Sequence, residues 1–356
     1  EALGPEGLFP ERPVESGLMA HLAQISLLSK ILLGLLFVLL LAIALLIKDK
    51  SGIAMLFMVF ILPLTILYFL YWRNARYGVP LDTVLKLFFT GFFVSPIAAM
   101  TLESVSSVLL LIILTPEDSV KLKKGDEAFI RNNLGLLFVY MFVQAFLVAA
   151  LIEEFVKHLI VRSCWLPHPL RTPKSVLIAF VAGALGFETI ENIEYIFAAG
   201  ASGTSIGGIH LTAFETELEV LVLRSLLPIH AICAATQAWG VIKRDFENEA
   251  QFNLLKILAL PVFFHGLFDF GAMYLPLVLA SYGSSEGVMT GVMLSLSFVI
   301  MLLGLIFLIV AYNAQTRRLR QGFEPVEGRE LGSLSGDSPV GLNGTQLSVV
   351  EDELGP

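Results

Sequence analysis

The chain has 356 residues, of which 56% are hydrophobic and only 15% charged, and its mean hydropathy is +0.79. A soluble domain of this length would need far more charge to cover its surface, so the composition excludes a soluble globular protein and predicts a membrane protein. The formal net charge is −8, but much of the acid lies in the two tails, and no basic stripe suggests a nucleic-acid partner. Two cysteines, Cys164 and Cys233, cannot build a disulfide framework, and we interpret both as packing residues.

Eight apolar segments are long enough to cross the roughly 30 Å hydrocarbon core of a bilayer as helices. In chain order they cover residues 22–47, 53–72, 83–114, 134–162, 175–198, 218–242, 254–275 and 288–313. The predicted fold is therefore all-α: a polytopic transmembrane bundle over residues 22–316, with a short N-terminal segment, 1–21, before it. Residues 317–356 turn to Gly, Ser, Pro and acids, which predicts a disordered tail.

The third and fourth segments are longer than a perpendicular crossing requires, so we expect tilt or an extension beyond the membrane. Pro63 and Pro96 fall inside segments two and three, where a kink is tolerated if neighbouring groups satisfy the freed carbonyl. The loop charges predict the orientation. Lysine and arginine are more numerous on the side that receives both termini, so we expect a multi-pass cell-membrane protein with both termini in the cytoplasm. The residues counted on that side are Arg73, Arg76, Arg162, Arg171, Lys174, Lys243, Arg244, Arg317, Arg318 and Arg320.

Segment four carries ionisable residues where each costs about 2.5–3.5 kcal/mol on insertion scales. Glu153 and Glu154 precede Lys157 by four and three residues, which are both spacings for a helical ion pair. We expect the lysine to hold one carboxylate while the other, about 100° around the helix, points elsewhere. A neutralised cluster that joins helices would explain these residues equally well.

Segment five carries a face of three carboxylates, Glu188, Glu191 and Glu194, at three-residue spacing. They cannot all remain ionised in hydrocarbon without a cation, protons or hydrogen-bond donors. A metal ion or a positively charged neighbouring helix would satisfy them. The alternative is an acidic face turned towards a water-filled cavity, with Glu194 at the membrane interface.

Segments six and seven add imidazoles. Arg224 lies near the start of segment six and His230 about midway, although a lone buried histidine is more often a hydrogen-bonded core residue than a ligand. In segment seven, His265 and Asp269 share one helix face. A carboxylate beside a histidine can bind one ring nitrogen and leave the other free for a metal or a proton, although this spacing also arises by chance.

Together, these residues from four successive segments indicate a water-activating site. Two histidines and several glutamates suit a zinc site with three protein ligands and one open position, where the metal lowers the pKa of bound water. A further glutamate would then act as general base. This combination predicts a hydrolase embedded in the bilayer.

At these residues the sequence resembles the PrsW family of intramembrane proteases, within the superfamily of type II CAAX-prenyl proteases and bacteriocin-processing relatives. The resemblance runs from Glu153 to Asp269 and rests on four ordered motifs. They are Glu153-Glu154-x-x-Lys157, Phe187-x-x-x-Glu191-Asn192, Pro228-Ile229-His230-Ala231 and His265-x-x-x-Asp269.

The resemblance implies that Glu153 and Glu154 supply the catalytic base, with Glu153 favoured, and that Lys157 orients the pair. It implies that Glu191, His230 and His265 surround the reactive water, with Asn192 and Asp269 completing the catalytic set. We favour zinc as the metal that Glu191, His230 and His265 hold, because the set includes two histidines and at least two acids without an obvious partner. In a metal-free alternative, a glutamate activates the water directly, a histidine assists it and the fourth motif stabilises the oxyanion. The implied substrates are membrane proteins with a single span, such as membrane-bound anti-sigma factors.

Two other functions fit parts of the pattern. Intramembrane Glu, His, Lys and Asp residues also form the relays of proton- or ion-coupled transporters, but transporters usually show paired halves, and here the polar residues cluster in segments four to seven. A catalytically inactive scaffold that binds membrane partners is the second alternative, against which the complete motif set argues.

Overall fold

The architecture is given by a computed structural model that describes residues 23, 25–46, 50–74, 79–110, 112–124, 126–162, 170, 172–202, 205–206, 209–210, 218, 221 and 228–321. Seven helical stretches within these residues are long and apolar enough to cross a membrane, which confirms the predicted multi-pass helical fold. Segment six is described mainly from residue 228 onwards. The predictions for Arg224, Cys164, the N-terminal segment and the tail beyond residue 321 fall outside the described residues.

The described residues form helices and one short pair of strands. The helices are α1 (Leu27–Leu46), α2 (Lys50–Asn74), α3 (Leu81–Phe89), α4 (Ser95–Leu110), α5 (Pro116–Lys123), α6 (Glu127–Asn132), α7 (Leu134–Val143), α8 (Leu151–Arg162), α9 (Pro173–Ser202), α10 (Ile229–Phe246), α11 (Leu254–Ser281) and α12 (Glu286–Gln321). Strands β1 (Ser205–Ile206) and β2 (Ile209–His210) pair antiparallel. Both lie beyond the end of α9.

Segments three and four each contain a π-helical stretch that the sequence pattern does not predict. The first, Thr90–Val94, joins α3 to α4, and the second, Gln144–Ala150, joins α7 to α8. Pro96 lies two residues after the end of the first stretch. Because proline lacks an N–H, it frees a carbonyl one turn earlier, and a local change of helix type accommodates it. Pro63, by contrast, lies within the uninterrupted α2.

Helix α9 is the centre of the bundle. It packs against α2, α3, the first π stretch, α8 and α10, and it is the most buried of the seven membrane-crossing stretches. Its apolar side chains fill the main core, where Ile178, Phe180 and Leu185 are essentially inaccessible. The carboxylates of this helix are therefore held on the most constrained element of the protein.

Two glycines allow α9 to lie unusually close to segment three. A Cβ on Gly91 would overlap the carbonyl of Gly183, and a Cβ on Gly186 would overlap the carbonyl of Phe88. Small residues that let backbones approach in this way are typical of helix contacts within membranes.

Ion pairs join helix ends at one end of the bundle, the end where α8 and α10 finish and α11 starts. Arg162 of α8 bonds Asp245 of α10 at 2.9 Å, and Arg318 bonds Glu247 at 2.8 Å. The second pair holds the end of α12, which continues to Gln321 and so passes the predicted boundary at residue 316. In the loop after α10, the hydrogen bond from Lys243 lowers the pKa of the Glu249 carboxyl.

The close contact of α9 with segment three predicts that alanine substitution is destabilising at Gly186 but not at Gly135. Gly186→Ala should destabilise the protein by roughly 2 kcal/mol or more, because the new methyl group meets backbone rather than a movable side chain. Gly135→Ala in α7 should be neutral or stabilising, since nothing lies within 4 Å of its Cβ position and alanine favours a helix. Thermal unfolding in detergent compares the two, and equal midpoints would contradict the packing.

Candidate active site

The ammonium group of Lys157 is enclosed by acceptors from two helices. Its Nζ lies 3.0 Å from Glu153 Oε2, 2.9 Å from Glu154 Oε1 and 2.7 Å from His230 Nδ1, and 4.3 Å from the centre of the Phe187 ring. Its side chain is only 2% exposed. The prediction that the lysine holds one carboxylate and leaves the other to point away is wrong. A long side chain reaches residues three and four positions earlier at once.

Glu154 is completely buried, and both of its carboxylate oxygens bind protein groups. Oε1 bonds Lys157 Nζ and, at 2.9 Å, the Nδ1 of His265 on α11. Oε2 accepts a hydrogen bond of 2.7 Å from Gln237 Nε2 on α10. Since an ionised carboxylate only accepts, His265 carries its proton on Nδ1, which leaves Nε2 directed to other partners.

Glu153 occupies a different environment from its neighbour. Its Oε2 lies 3.7 Å from His265 Nε2, and it lines the cavity described below. Asp269 Oδ2 lies 3.4 Å from the same imidazole nitrogen, as the i,i+4 spacing predicts. Glu153 is thus the member of the glutamate pair that can meet a molecule inside the cavity.

His230 lies in the first turn of α10, directly after Pro228 and Ile229, and not midway along a helix as predicted. Pro228 explains the difference, because proline without an N–H is tolerated where a helix begins. The two ring nitrogens of His230 face Lys157 and Glu191, the latter at 2.7 Å from Nε2. The rings of His230 and His265 are nearly perpendicular, with centres 5.0 Å apart.

A cavity of about 460 Å³ lies among α4, the second π stretch, α8, α9, α10 and α11. Its wall contains six carboxyl groups and two imidazoles: Glu103, Glu153, Glu188, Glu191, Glu194, Asp269, His230 and His265. No lysine or arginine is among the described residues that line it. Met100 of α4 and Tyr195 of α9 line it too and are 47% and 51% exposed, so they mark its mouth.

The eight residues that the sequence assigns to the site come together. Those lining the cavity are Glu153, Glu191, Asn192, His230, His265 and Asp269, whereas Glu154 and Lys157 lie behind them. Their individual roles stay predictions. Sequence reasoning missed Gln237, which contacts the back of Glu154, and His158, which contacts Gln237. Both are polar residues within apolar segments, which is the sequence feature that could have identified them.

Three of these residues form a group that fits a metal ion. Glu153, His230 and His265 are buried and each offers one ligand atom, all within 4.8 Å of one another. The sequence prediction names Glu191 instead of Glu153 as the acidic ligand. Glu191 does lie against His230 Nε2, so both carboxylates remain candidates.

A cavity lined with carboxylates and imidazoles inside a multi-pass helical bundle is the arrangement of a membrane-embedded hydrolase. The chain belongs to the PrsW family: the family model described as "PrsW family intramembrane metalloprotease" matches residues 79–308, which contain every residue of the site.

Two curated relatives bear the name Protease PrsW. The protein from Clostridioides difficile (strain 630) is 28% identical over 220 residues, which are 60% of this chain and 78% of the relative. The protein from Geobacillus kaustophilus (strain HTA426) is 31% identical over 130 residues, 35% of this chain and 50% of the relative. No solved structure matches the chain.

The burial of Lys157 predicts that its loss is costly. Lys157→Met would leave Glu153 and Glu154 buried without their shared cation, and removing one partner of a buried ion pair costs about 3–5 kcal/mol. Arg162→Ala breaks the partly exposed pair with Asp245 and should cost about 1 kcal/mol or less. Unfolding of both variants in detergent provides the measurement. A Lys157→Met protein as stable as Arg162→Ala would argue against the ionised cluster.

Proposed function

We propose that this protein hydrolyses peptide bonds of membrane-protein substrates with a water molecule that Glu153 activates inside the cavity. The observation that carries the proposal is the unequal use of the two glutamates. Both glutamates bond Lys157, but Glu154 is also engaged by Gln237 and His265, whereas Glu153 borders the cavity beside His265. Membership of the PrsW family supports the same reaction.

In the proposed reaction, Glu153 removes a proton from the water as its oxygen attacks the scissile carbonyl carbon. Glu153 then delivers this proton to the departing amine as the carbon–nitrogen bond breaks. The side-chain amide of Asn192, which lines the cavity, would stabilise the negative charge that develops on the carbonyl oxygen, and in the metal-free alternative a doubly protonated imidazole of His265 would do so as well. Glu154 fixes the orientation of that imidazole through Nδ1.

We further propose that the site holds zinc through His230 and His265, with Glu191 as the third ligand. His265 would use Nε2, since its Nδ1 faces Glu154. Bound there, Zn²⁺ would act as a Lewis acid and lower the pKa of the attacking water. The charge of the cavity wall supports a cation, because six carboxyl groups and no lysine or arginine line the described part.

The proposed substrate is a single-pass membrane protein that reaches the cavity through the mouth at Met100 and Tyr195. A peptide carbonyl in a helix is hydrogen-bonded within its own backbone, so the substrate helix must unwind before Glu153 can act on it. We therefore expect small or helix-breaking residues near the cleavage position.

Glu153→Gln tests the base. It keeps the shape of the side chain but cannot accept the proton, so cleavage should fall by about 10²–10⁴-fold. The assay uses purified protein and a panel of fluorescently tagged single-pass segments, membrane-bound anti-sigma factors among them. Glu117→Gln in the exposed helix α5 makes the same chemical change away from the site and should cleave at the wild-type rate. Undiminished cleavage by a folded Glu153→Gln protein would remove Glu153 from this role.

Metal analysis decides whether Glu153 acts as the general base or as a zinc ligand. If Glu153 is the base, Glu153→Gln should keep its zinc, whereas His265→Ala should lose it, since an imidazole ligand is gone. Loss of zinc from Glu153→Gln would make Glu153 a ligand instead. An active wild-type preparation without stoichiometric metal would end the zinc proposal and favour the metal-free reaction. A proton-flux assay in liposomes tests the transporter alternative.

A further inference from the structure

Gln237 of α10 lies behind the candidate active site and uses its whole side-chain amide there. Its Nε2 donates to Glu154 Oε2 at 2.7 Å and to the backbone carbonyl of Glu154 at 3.1 Å. Its Oε1 lies 3.1 Å from Nδ1 of His158, a residue one helical turn beyond Glu154 on α8. Gln237 is completely buried, and His158 is 5% exposed.

The direction of these hydrogen bonds follows from chemistry. A glutamine oxygen can only accept, so the contact with His158 requires a proton on Nδ1 of that imidazole. The amide nitrogen of Gln237 must then face Glu154. A flipped amide would place its oxygen against the carboxylate and the carbonyl of Glu154, which are both acceptors. The two acceptors of Glu154 therefore fix which end of the amide meets the glutamate, and the N–H of His158 holds the amide oxygen in that orientation.

A chain of contacts leads from this pair to the reacting groups. Glu154 Oε2 is held by Gln237, and Glu154 Oε1 holds Nδ1 of His265. The other nitrogen of His265 lies 3.7 Å from Glu153 Oε2. Neither Gln237 nor His158 is among the residues that line the cavity, so neither meets the substrate directly.

We propose that Gln237 and His158 are positioning residues of the hydrolytic site: His158 orients the Gln237 amide, which locks Glu154 and through it the imidazole of His265. The inference rests on the proposed peptidase function for its consequence in catalysis. Without the amide, Oε2 of a buried carboxylate loses its donor, and Glu154 can rotate away from His265. Residues that orient the groups of a site in this way typically contribute about 10–100-fold to activity.

The test is a double-mutant cycle on cleavage of a fluorescent single-pass segment that the wild-type protein cuts. Gln237→Met keeps the length of the side chain and removes the amide. His158→Phe keeps a ring against Phe180, whose centre lies 5.6 Å from that of the imidazole, and removes the donor. The matched control is Thr236→Val, which removes a buried hydrogen bond to the carbonyl of Ile232 in the same helix, away from Glu154.

We expect Gln237→Met to lower kcat by about tenfold or more and to leave KM near the wild-type value, because substrate binding is untouched. His158→Phe should lower kcat by a smaller factor. The double variant should match Gln237→Met alone, since His158 acts only through the amide. Thr236→Val should retain the wild-type kcat. A folded Gln237→Met protein with the wild-type kcat, or effects that multiply in the double variant, would overturn the inference.

Two further measurements decide the question if Gln237→Met does not fold or if no segment is cleaved. If Gln237→Met does not fold, His158→Phe decides alone, because it leaves Glu154 with Lys157 and His265: a lower kcat at constant KM supports the inference, and an unchanged kcat overturns it. The unfolding midpoints of the four proteins of the cycle need no substrate. Additive shifts in these midpoints would overturn the hydrogen-bonded chain, whether or not any segment is cleaved. Absence of cleavage by itself would count only against the peptidase proposal.

Discussion

Lys157 carries a full positive charge into a bundle of apolar helices, where an unpaired ammonium would cost several kcal/mol. The three N–H donors of its ammonium meet three acceptors, one each from Glu153, Glu154 and His230. Because His230 comes from α10 and the glutamates from α8, this cluster forms only when the two helices are correctly aligned. The alignment then brings Gln237 of α10 against Glu154. The geometry of the site thus follows from the need to neutralise one buried charge.

The neutralisation also explains why two adjacent glutamates differ. Successive residues of a helix point about 100° apart, so only one carboxylate of the pair can face the cavity while both touch the same lysine. The π stretch that precedes them holds α11 close: the ring of Phe146 packs where Gly266 has no side chain, directly after His265. Wider turns of this kind are frequent near functional sites. Glu154 thereby reaches His265, and Glu153 remains at the cavity wall.

The membrane-crossing helices and the convergence of the site could be predicted, because hydrophobic length and the cost of buried charge are both visible in the sequence. The π stretches could not, since they leave the apolar composition of segments three and four unchanged. The place of His230 in the first turn of α10 could not be predicted either, because the apolar run 218–242 gives no sign that this helix starts after Pro228. Gln237 and His158 were missed because a neutral polar residue costs less to bury than a charged one. Their contacts are also distant in sequence, since Gln237 lies 83 positions from Glu154 and 79 from His158.

The position of Lys157 leaves the described lining of the cavity with six carboxyl groups and no lysine or arginine. Lys157 is absent from the described lining, so its charge neutralises Glu153 and Glu154 from behind and would not meet the carbonyl oxygen of a peptide in the proposed reaction. The wall that such a peptide meets is acidic, and an acidic wall opposes the negative charge that develops during hydrolysis. In the proposed reaction, a compensating positive charge would come from a protonated imidazole or from a metal ion. Both sources would act through His230 and His265, which would make the orientation of these two rings the property that the surrounding structure has to maintain.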